Sequence, residues 1–217
     1  AWRSAVIGKA LIENNHQRIH DEDIHALFLP CDDAGTFIQE HFAPQHLTPH
    51  AARFLDNAFA VVKQIGDPTK RALMELLLVK YIFWLRPHAK FSSPNAFNKP
   101  FVEGRWDDIK STYKAAIIAN AAHPFVGLKR MQQTINGAVF VGAQPCRAVH
   151  GDAAATIREG EGAQVLYLDP PYSGTLSYED EYGLFDRIFE EPMRPSAYSR
   201  RDGLAHFAGL LEQCEAY

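Results

Sequence analysis

Cysteine is scarce in this chain of 217 residues. Its three cysteines, Cys31, Cys146 and Cys214, are far apart and form no C-x-x-C pair. This excludes a disulfide framework and gives no cysteine-based zinc site. The ten histidines lack an H-E-x-x-H or similar spacing, so the sequence predicts no metal site. A reducing, cytoplasmic compartment is the expectation.

Long apolar runs are also missing. The most apolar stretch, "ALMELLLVKYIFWL" at 72–85, contains Glu75 and Lys80. It is shorter than the roughly 20 residues that cross a bilayer. The sequence therefore predicts a buried helix there and no membrane partner. The opening "AWRSAVIGKALIENN" lacks the charged, apolar and small-residue order of a signal peptide.

Charge is distributed unevenly along the chain. Residues 63–147 hold 13 Lys and Arg against 5 Asp and Glu, whereas 1–62 hold 4 against 8 and 148–217 hold 5 against 13. A basic middle between acidic flanks is typical of a segment that binds a polyanion. The same pattern also fits lysines on solvated helix faces, so both interpretations stay open.

The first two thirds of the chain read as helices, and the last third reads as strands and helices. Helices are predicted in "AVIGKALIENN", "LTPHAARFLDNAFAVVKQI", "DPTKRALMELLLVKYIFWL", "RWDDIKSTYKAAIIANAAH" and "FVGLKRMQQTI". Thr48 and Asp67 precede prolines and are the expected N-caps of two of them. "GAVFVG", "CRAVHGD" and "AQVLYLD" read as short strands, which with helices between them predict an α/β fold with a parallel sheet.

"LYLDPPYSGT", residues 166–175, ends the last of these predicted strands in an unusual way. Neither Pro170 nor Pro171 has a backbone N–H for a sheet, and each fixes its own φ. Asp169 precedes a proline and is pushed toward extended backbone. The result is a rigid shelf that carries the Asp169 carboxylate and the ring of Tyr172.

Such a shelf suits chemistry on a planar amine. Asp169 and the backbone carbonyl of Pro170 can each accept an N–H bond, which draws the nitrogen lone pair out of conjugation and leaves it available to attack an electrophile. Tyr172 can stack on the ring of the substrate. A Pro-Pro turn that Asp initiates is the structural alternative.

"VLYLDPPY" resembles motif IV of the DNA adenine methylases, which transfer a methyl group from S-adenosylmethionine to N6 of adenine in double-stranded DNA. The resemblance implies a Rossmann-like methyltransferase sheet with a helical, target-recognition insertion. It gives Asp169, Pro170, Pro171 and Tyr172 the catalytic roles above, with a flipped adenine stacked on Tyr172. "SAVIGKALIENN" resembles the helix that follows the second strand of the family.

The order of segments is similar to the alpha arrangement of the family. This implies domains at 1–30 (part of the methyltransferase core), 31–136 (the DNA-binding insertion) and 137–217 (the core that carries DPPY). "HGDAAATI" stands where the family places its cofactor-binding acidic residue. The residues expected to bind the cofactor are Asp152, Ala153 and Asp169, and those expected to bind DNA are Lys90, Lys99, Arg105, Lys129 and Arg130.

One departure from the family keeps other functions open. No glycine-rich turn follows a strand before residue 137, so the first one or two strands of the sheet are expected to be missing. An inactive or incomplete remnant that binds DNA or a partner subunit is the alternative. A third possibility is an enzyme that methylates another planar amine or amide in protein or RNA, although such enzymes more often resemble NPPY. The DNA target and a role in restriction and modification are not readable from the sequence.

Overall fold

A computed structural model describes residues 2–43, 47–85, 111–149, 151, 165 and 167 of the chain. Short helices occupy the first forty residues and long helices follow them. In chain order the elements are α1 (Trp2–Ile7), a π-helix (Gly8–Glu13), α2 (Asp21–Ala26), α3 (Phe37–Phe42), α4 (Pro49–Lys63), α5 (Pro68–Leu85), α6 (Ser111–Ala122) and α7 (Pro124–Ala138).

Both expected N-caps are confirmed. The Thr48 hydroxyl oxygen accepts a hydrogen bond from the Ala51 N–H at 3.2 Å, at the start of α4. Asp67 accepts one from the Lys70 N–H at 2.8 Å, at the start of α5. Each cap satisfies a backbone N–H that has no partner within its helix, and the proline that follows has no N–H to satisfy. These two helix starts are therefore determined by adjacent residues.

Helix α5 lies at the centre of the packing, as its apolar sequence predicts. It packs against α7, the π-helix, α1, α4 and α6. Apolar side chains are buried on every side of it, among them Leu73, Leu77 and Leu78. Each fully buried leucine stabilises the fold by about 1.5 to 3 kcal/mol through removal of apolar surface from water. No helix within the described residues is long and apolar enough to cross a membrane.

Gly127 allows α7 to approach α5 closely. A Cβ atom at this position would lie 2.3 Å from an atom of the Trp84 ring, a distance that real Cβ atoms do not reach. The Asn120 side chain donates a hydrogen bond to the Trp84 carbonyl at 2.9 Å. Trp84 therefore connects α5 to both of the following helices.

The predicted α/β fold is wrong for the described part of the chain, where no strand or sheet is present. In "GAVFVG", Gly137 and Ala138 end α7, and residues 139–142 are irregular. The described residues of "CRAVHGD" and "AQVLYLD" are likewise in no strand. The partial Rossmann-like sheet is therefore not what the structure shows in these residues.

The physical reason for this difference is visible after α7. The Gly142 N–H donates to the Asn15 side chain at 3.2 Å, and the Ala148 N–H donates to the Glu13 carboxylate. The side chains of Asn15 and Glu13 thus accept hydrogen bonds from backbone N–H groups that a neighbouring strand would otherwise pair. Val139 is buried, but Phe140 is 53% and Val141 is 79% exposed, so this apolar run is not buried on both faces as a central parallel strand would be.

The chain divides into two compact units, Trp2–Ala148 and, together with Ala1, Val149–Tyr217. The first unit contains all the helices given above. In the second unit the structure describes Val149, Gly151, Val165 and Tyr167. Val165 and Tyr167 are each 85% exposed. The predicted domain boundaries at 30/31 and 136/137 stay predictions.

Candidate nucleic-acid interface

Most of the predicted site lies outside the residues that the structure describes. This holds for the catalytic and cofactor-binding residues and for three of the five basic residues expected to bind DNA. These residues are Asp152, Ala153, Asp169, Pro170, Pro171, Tyr172, Lys90, Lys99 and Arg105. Lys129 and Arg130 are described, and both lie on α7.

Lys129 takes part in an internal ion pair. Its ammonium group donates to the Asp21 carboxylate of α2, which also accepts a hydrogen bond from the Gln132 side chain at 3.0 Å. The hydrogen bond from Lys129 and then that from Gln132 lower the pKa of Asp21 from its ordinary value of 3.8. Lys129 would have to leave this carboxylate to contact a phosphate.

Arg130 is the more available cation. Its side chain is exposed, and no described residue forms an ion pair with it. Its backbone carbonyl accepts a hydrogen bond from the Thr134 hydroxyl at 3.2 Å. An exposed guanidinium on a helix can contact a phosphate with two N–H groups at once.

Helix α7 also holds the segment before α2 in place. The Asn136 side chain bonds both backbone groups of Ile19, accepting from the N–H at 2.9 Å and donating to the carbonyl at 2.8 Å. Gln132 donates to the same carbonyl at 2.9 Å and to Asp21. Because buried amide groups are expensive to leave unpaired, these bonds fix where α2 begins relative to α7.

Aromatic side chains gather where α2 and α7 meet. The His25 ring stacks on Phe125, with centroids 5.3 Å apart, and the Phe28 ring lies 6.0 Å from Phe125. We call His25, Phe28, Leu29, Phe125 and Val126 the aromatic surface. All five side chains are exposed, with Leu29 at 63% and Val126 at 64%.

The aromatic surface continues inward. Phe28 contacts Phe54 of α4 with centroids 5.0 Å apart, and Phe54 meets Tyr81 of α5 edge to face at 5.6 Å. Tyr81 is fully buried. Aromatic contacts of this kind stabilise by about 0.5 to 1.5 kcal/mol beyond the area that they bury. The exposed rings are therefore connected to the core through a chain of ring contacts.

Two apolar residues and two basic residues are spaced one helical turn apart along α7. Lys129 follows Phe125 by four residues, and Arg130 follows Val126 by four. Residues four apart lie on the same face of a helix, so Arg130 lies next to Val126. The sequence prediction included the two cations and missed the rings. "FVGLKR" contains this spacing, but the contribution of Phe28, which lies two residues beyond α2, depends on the tertiary structure.

No group of histidine, cysteine, aspartate and glutamate side chains within the described ranges is arranged to hold a metal ion. A shallow cavity of about 340 Å³ lies between the start of α4 and the end of α6, lined by Thr48, His50, Ile118, Ala121 and Ala122. Its lining contains no aspartate, glutamate, lysine or arginine. It offers no chemistry that would identify a ligand.

Comparison with known proteins gives no match: no family model, no curated protein and no solved structure matches this chain.

Proposed function

We propose that this chain takes part in methyl transfer from S-adenosylmethionine to the N6 amino group of adenine in double-stranded DNA. The observation that carries the proposal is the segment "VLYLDPPY" at 165–172. The proposal rests on the chemistry of these side chains and on their resemblance to the DNA adenine methylases.

The roles of the residues follow from what the substrate needs. Asp169 and the carbonyl of Pro170 accept the two N–H groups of the adenine amine, so that its lone pair leaves conjugation with the ring. Pro170 and Pro171 hold these acceptors rigid, and Tyr172 stacks on the flipped base. When bound, S-adenosylmethionine supplies the methyl group, and Asp152 and Ala153 are the residues assigned to hold it.

The basic residues of 63–147 supply the contact with DNA in this proposal. Arg130 on α7 supports it best, because its side chain is exposed and uninvolved in any ion pair among the described residues. Phosphate contacts release counterions, so binding of duplex DNA should weaken steeply as salt rises. An affinity that does not change with salt would contradict this part of the proposal.

The first test is methylation of duplex DNA by the whole chain, with nucleoside mass spectrometry to detect N6-methyladenine. Asp169→Ala should lower kcat by about 100-fold or more, because it removes an acceptor aimed at charge that develops in the transition state. Glu22→Ala is the matched control, since it removes an exposed carboxylate of α2. Equal turnover by wild type and Asp169→Ala would refute the assigned mechanism.

A second candidate function is DNA binding without methyl transfer. The absence of a sheet in the described residues, together with the absence of a glycine-rich turn before residue 137, favours it. Salt-sensitive duplex binding with no N6-methyladenine would support this candidate. Detection of N6-methyladenine, lost in Asp169→Ala, would reject it.

A further inference from the structure

The aromatic surface brings several exposed apolar and ring side chains together. Phe28 is 40% exposed and Phe125 is 38% exposed, and both lie beside the more exposed Leu29 and Val126. Single exposed apolar residues are ordinary, but a contiguous group at the junction of two elements indicates a binding surface. No residue of this group belongs to the DPPY segment.

The rings are held in position before any ligand binds. Phe125 contacts both His25 and Phe28, and Phe54 supports Phe28 from below. Asn136 and Gln132 fix the chain that leads into α2. Because the rings already have their positions, binding of a ligand against them loses little free energy to side-chain ordering. This favours flat ligands that bind by stacking.

One exposed cation, Arg130, lies beside the aromatic surface and can contact an anion next to a stacked group. Asp21 is paired with Lys129, and Asp23 is paired with Lys70 at 2.6 Å. Two of the three acids of α2 are thus neutralised by their neighbours. Arg130 lies one helical turn beyond Val126 with no ion-pair partner among the described residues.

We propose that the aromatic surface binds an unpaired nucleobase of a single strand, with Arg130 contacting the phosphate next to that base. Aromatic rings that stack on successive bases, flanked by cations that contact the backbone, are the arrangement that single-stranded nucleic acids require. The inference rests on the proposed function only in that the ligand is a nucleic acid. It adds a second base-binding position, separate from Tyr172.

The test measures binding of the whole chain to fluorescent DNA by anisotropy. The probes are a single strand of about 16 nucleotides and the duplex of the same sequence. Phe125→Ala should weaken single-strand binding by about 5- to 100-fold, since each stacked base contributes that range of affinity. The loss for duplex should be smaller, because its bases are already stacked on one another.

Three matched variants make the result specific. Phe125→Tyr keeps a ring and should bind the single strand within about twofold of wild type. Ile12→Ala removes exposed aliphatic area outside the aromatic surface and should bind nearly as wild type. Arg130→Gln should reduce the dependence of affinity on salt by about one phosphate contact.

Several results would overturn the inference. These are no single-strand binding by wild type, unchanged binding by Phe125→Ala, or equal losses for single strand and duplex. A loss in Ile12→Ala as large as that in Phe125→Ala would also overturn it, because the effect would then not be specific to the aromatic surface. If the chain methylates DNA but Phe125→Ala binds the single strand like wild type, this inference alone is rejected. If Phe125→Ala weakens single-strand binding but the chain methylates no DNA, the methylation proposal alone is rejected.

Discussion

At the scale of single residues, Tyr81 stands out because its hydroxyl is buried without a hydrogen bond to any described residue. Burial also raises the pKa of Tyr81 well above its ordinary value of 10.0. A buried polar group without a partner costs about 1 to 3 kcal/mol, so the fold tolerates a penalty at this position. The ring itself is required, because it links Phe54 to Trp84.

Tyr81→Phe should increase the free energy of unfolding by about 1 kcal/mol, measured by urea denaturation at neutral pH. The sign of the pH effect follows from the raised pKa. The unfolded phenol ionises near pH 10 whereas the folded one does not, so wild type loses stability as pH rises above about 10. The Tyr81→Phe variant should lose less stability than wild type above that pH.

Tyr167→Phe is the control for this variant, since Tyr167 is 85% exposed and its hydroxyl is not buried. A destabilised Tyr81→Phe would mean that the hydroxyl has a partner that stabilises the fold.

At the scale of elements, α3 depends on a residue from another helix. Asp56 of α4 is buried and accepts hydrogen bonds from the Ile38 N–H at 2.8 Å and the Gln39 N–H at 3.1 Å. The Thr36 side chain, at the N-cap position, makes no cap bond. Six residues are too few to form a stable helix alone, so the distant carboxylate is what caps α3.

Asp56→Ala should therefore destabilise the protein by about 2 to 3 kcal/mol, because it leaves two helix N–H groups unpaired in a buried place. Urea denaturation measures the loss, and hydrogen exchange should show faster exchange at Ile38 and Gln39. Asp56→Asn retains one acceptor oxygen and should cost less.

Asp32→Ala removes an exposed carboxylate and should be nearly neutral. If Asp56→Ala were equally neutral, the capping role of Asp56 would be wrong.

At the scale of the whole molecule, exposed aspartates join distant parts of the chain. Asp21 pairs with Lys129, 108 residues away, and Asp67 accepts from the Gln17 side chain at 3.1 Å across 50 residues. The backbone N–H of Lys70 and then the Gln17 amide lower the pKa of Asp67 from 3.8. Protonation of the Asp21 and Asp67 carboxylates in acid thus weakens contacts between different parts of the fold.

The expected consequence is a loss of stability in acid. Since both pKa values are lowered in the folded state, the stabilisation is present above 3.8 and is lost as pH falls through the lower folded values. Urea midpoints measured from about pH 6 down to about pH 2 should fall less steeply for Asp21→Asn than for wild type.

High salt should reduce the part of this pH-dependent stabilisation that comes from the ion pair between Asp21 and Lys129, since both groups are at the surface. An identical pH profile for Asp21→Asn, in low and high salt, would show that this pair does not contribute.

The sequence by itself determined the long helices. Helices α4 and α5 start at Thr48 and Asp67 because a cap needs only residues a few positions away. The burial of α5 also followed from its apolar composition, since a helix that is apolar all round has no face for solvent. The spacing of apolar residues in "FVGLKRMQQTI" predicted a helix that contains Lys129 and Arg130, and both residues lie on α7.

The tertiary structure decided what depends on distant partners. A run such as "GAVFVG" forms a strand only beside another strand, and here Asn15 and Glu13 take backbone N–H groups of 139–148. Short helices α2 and α3 exist because α7 and Asp56 hold them, and their six residues carry too little signal alone. The pairing of Lys129 and the assembly of His25, Phe28 and Phe125 arise for the same reason: contacts across a hundred residues are set by how the helices pack.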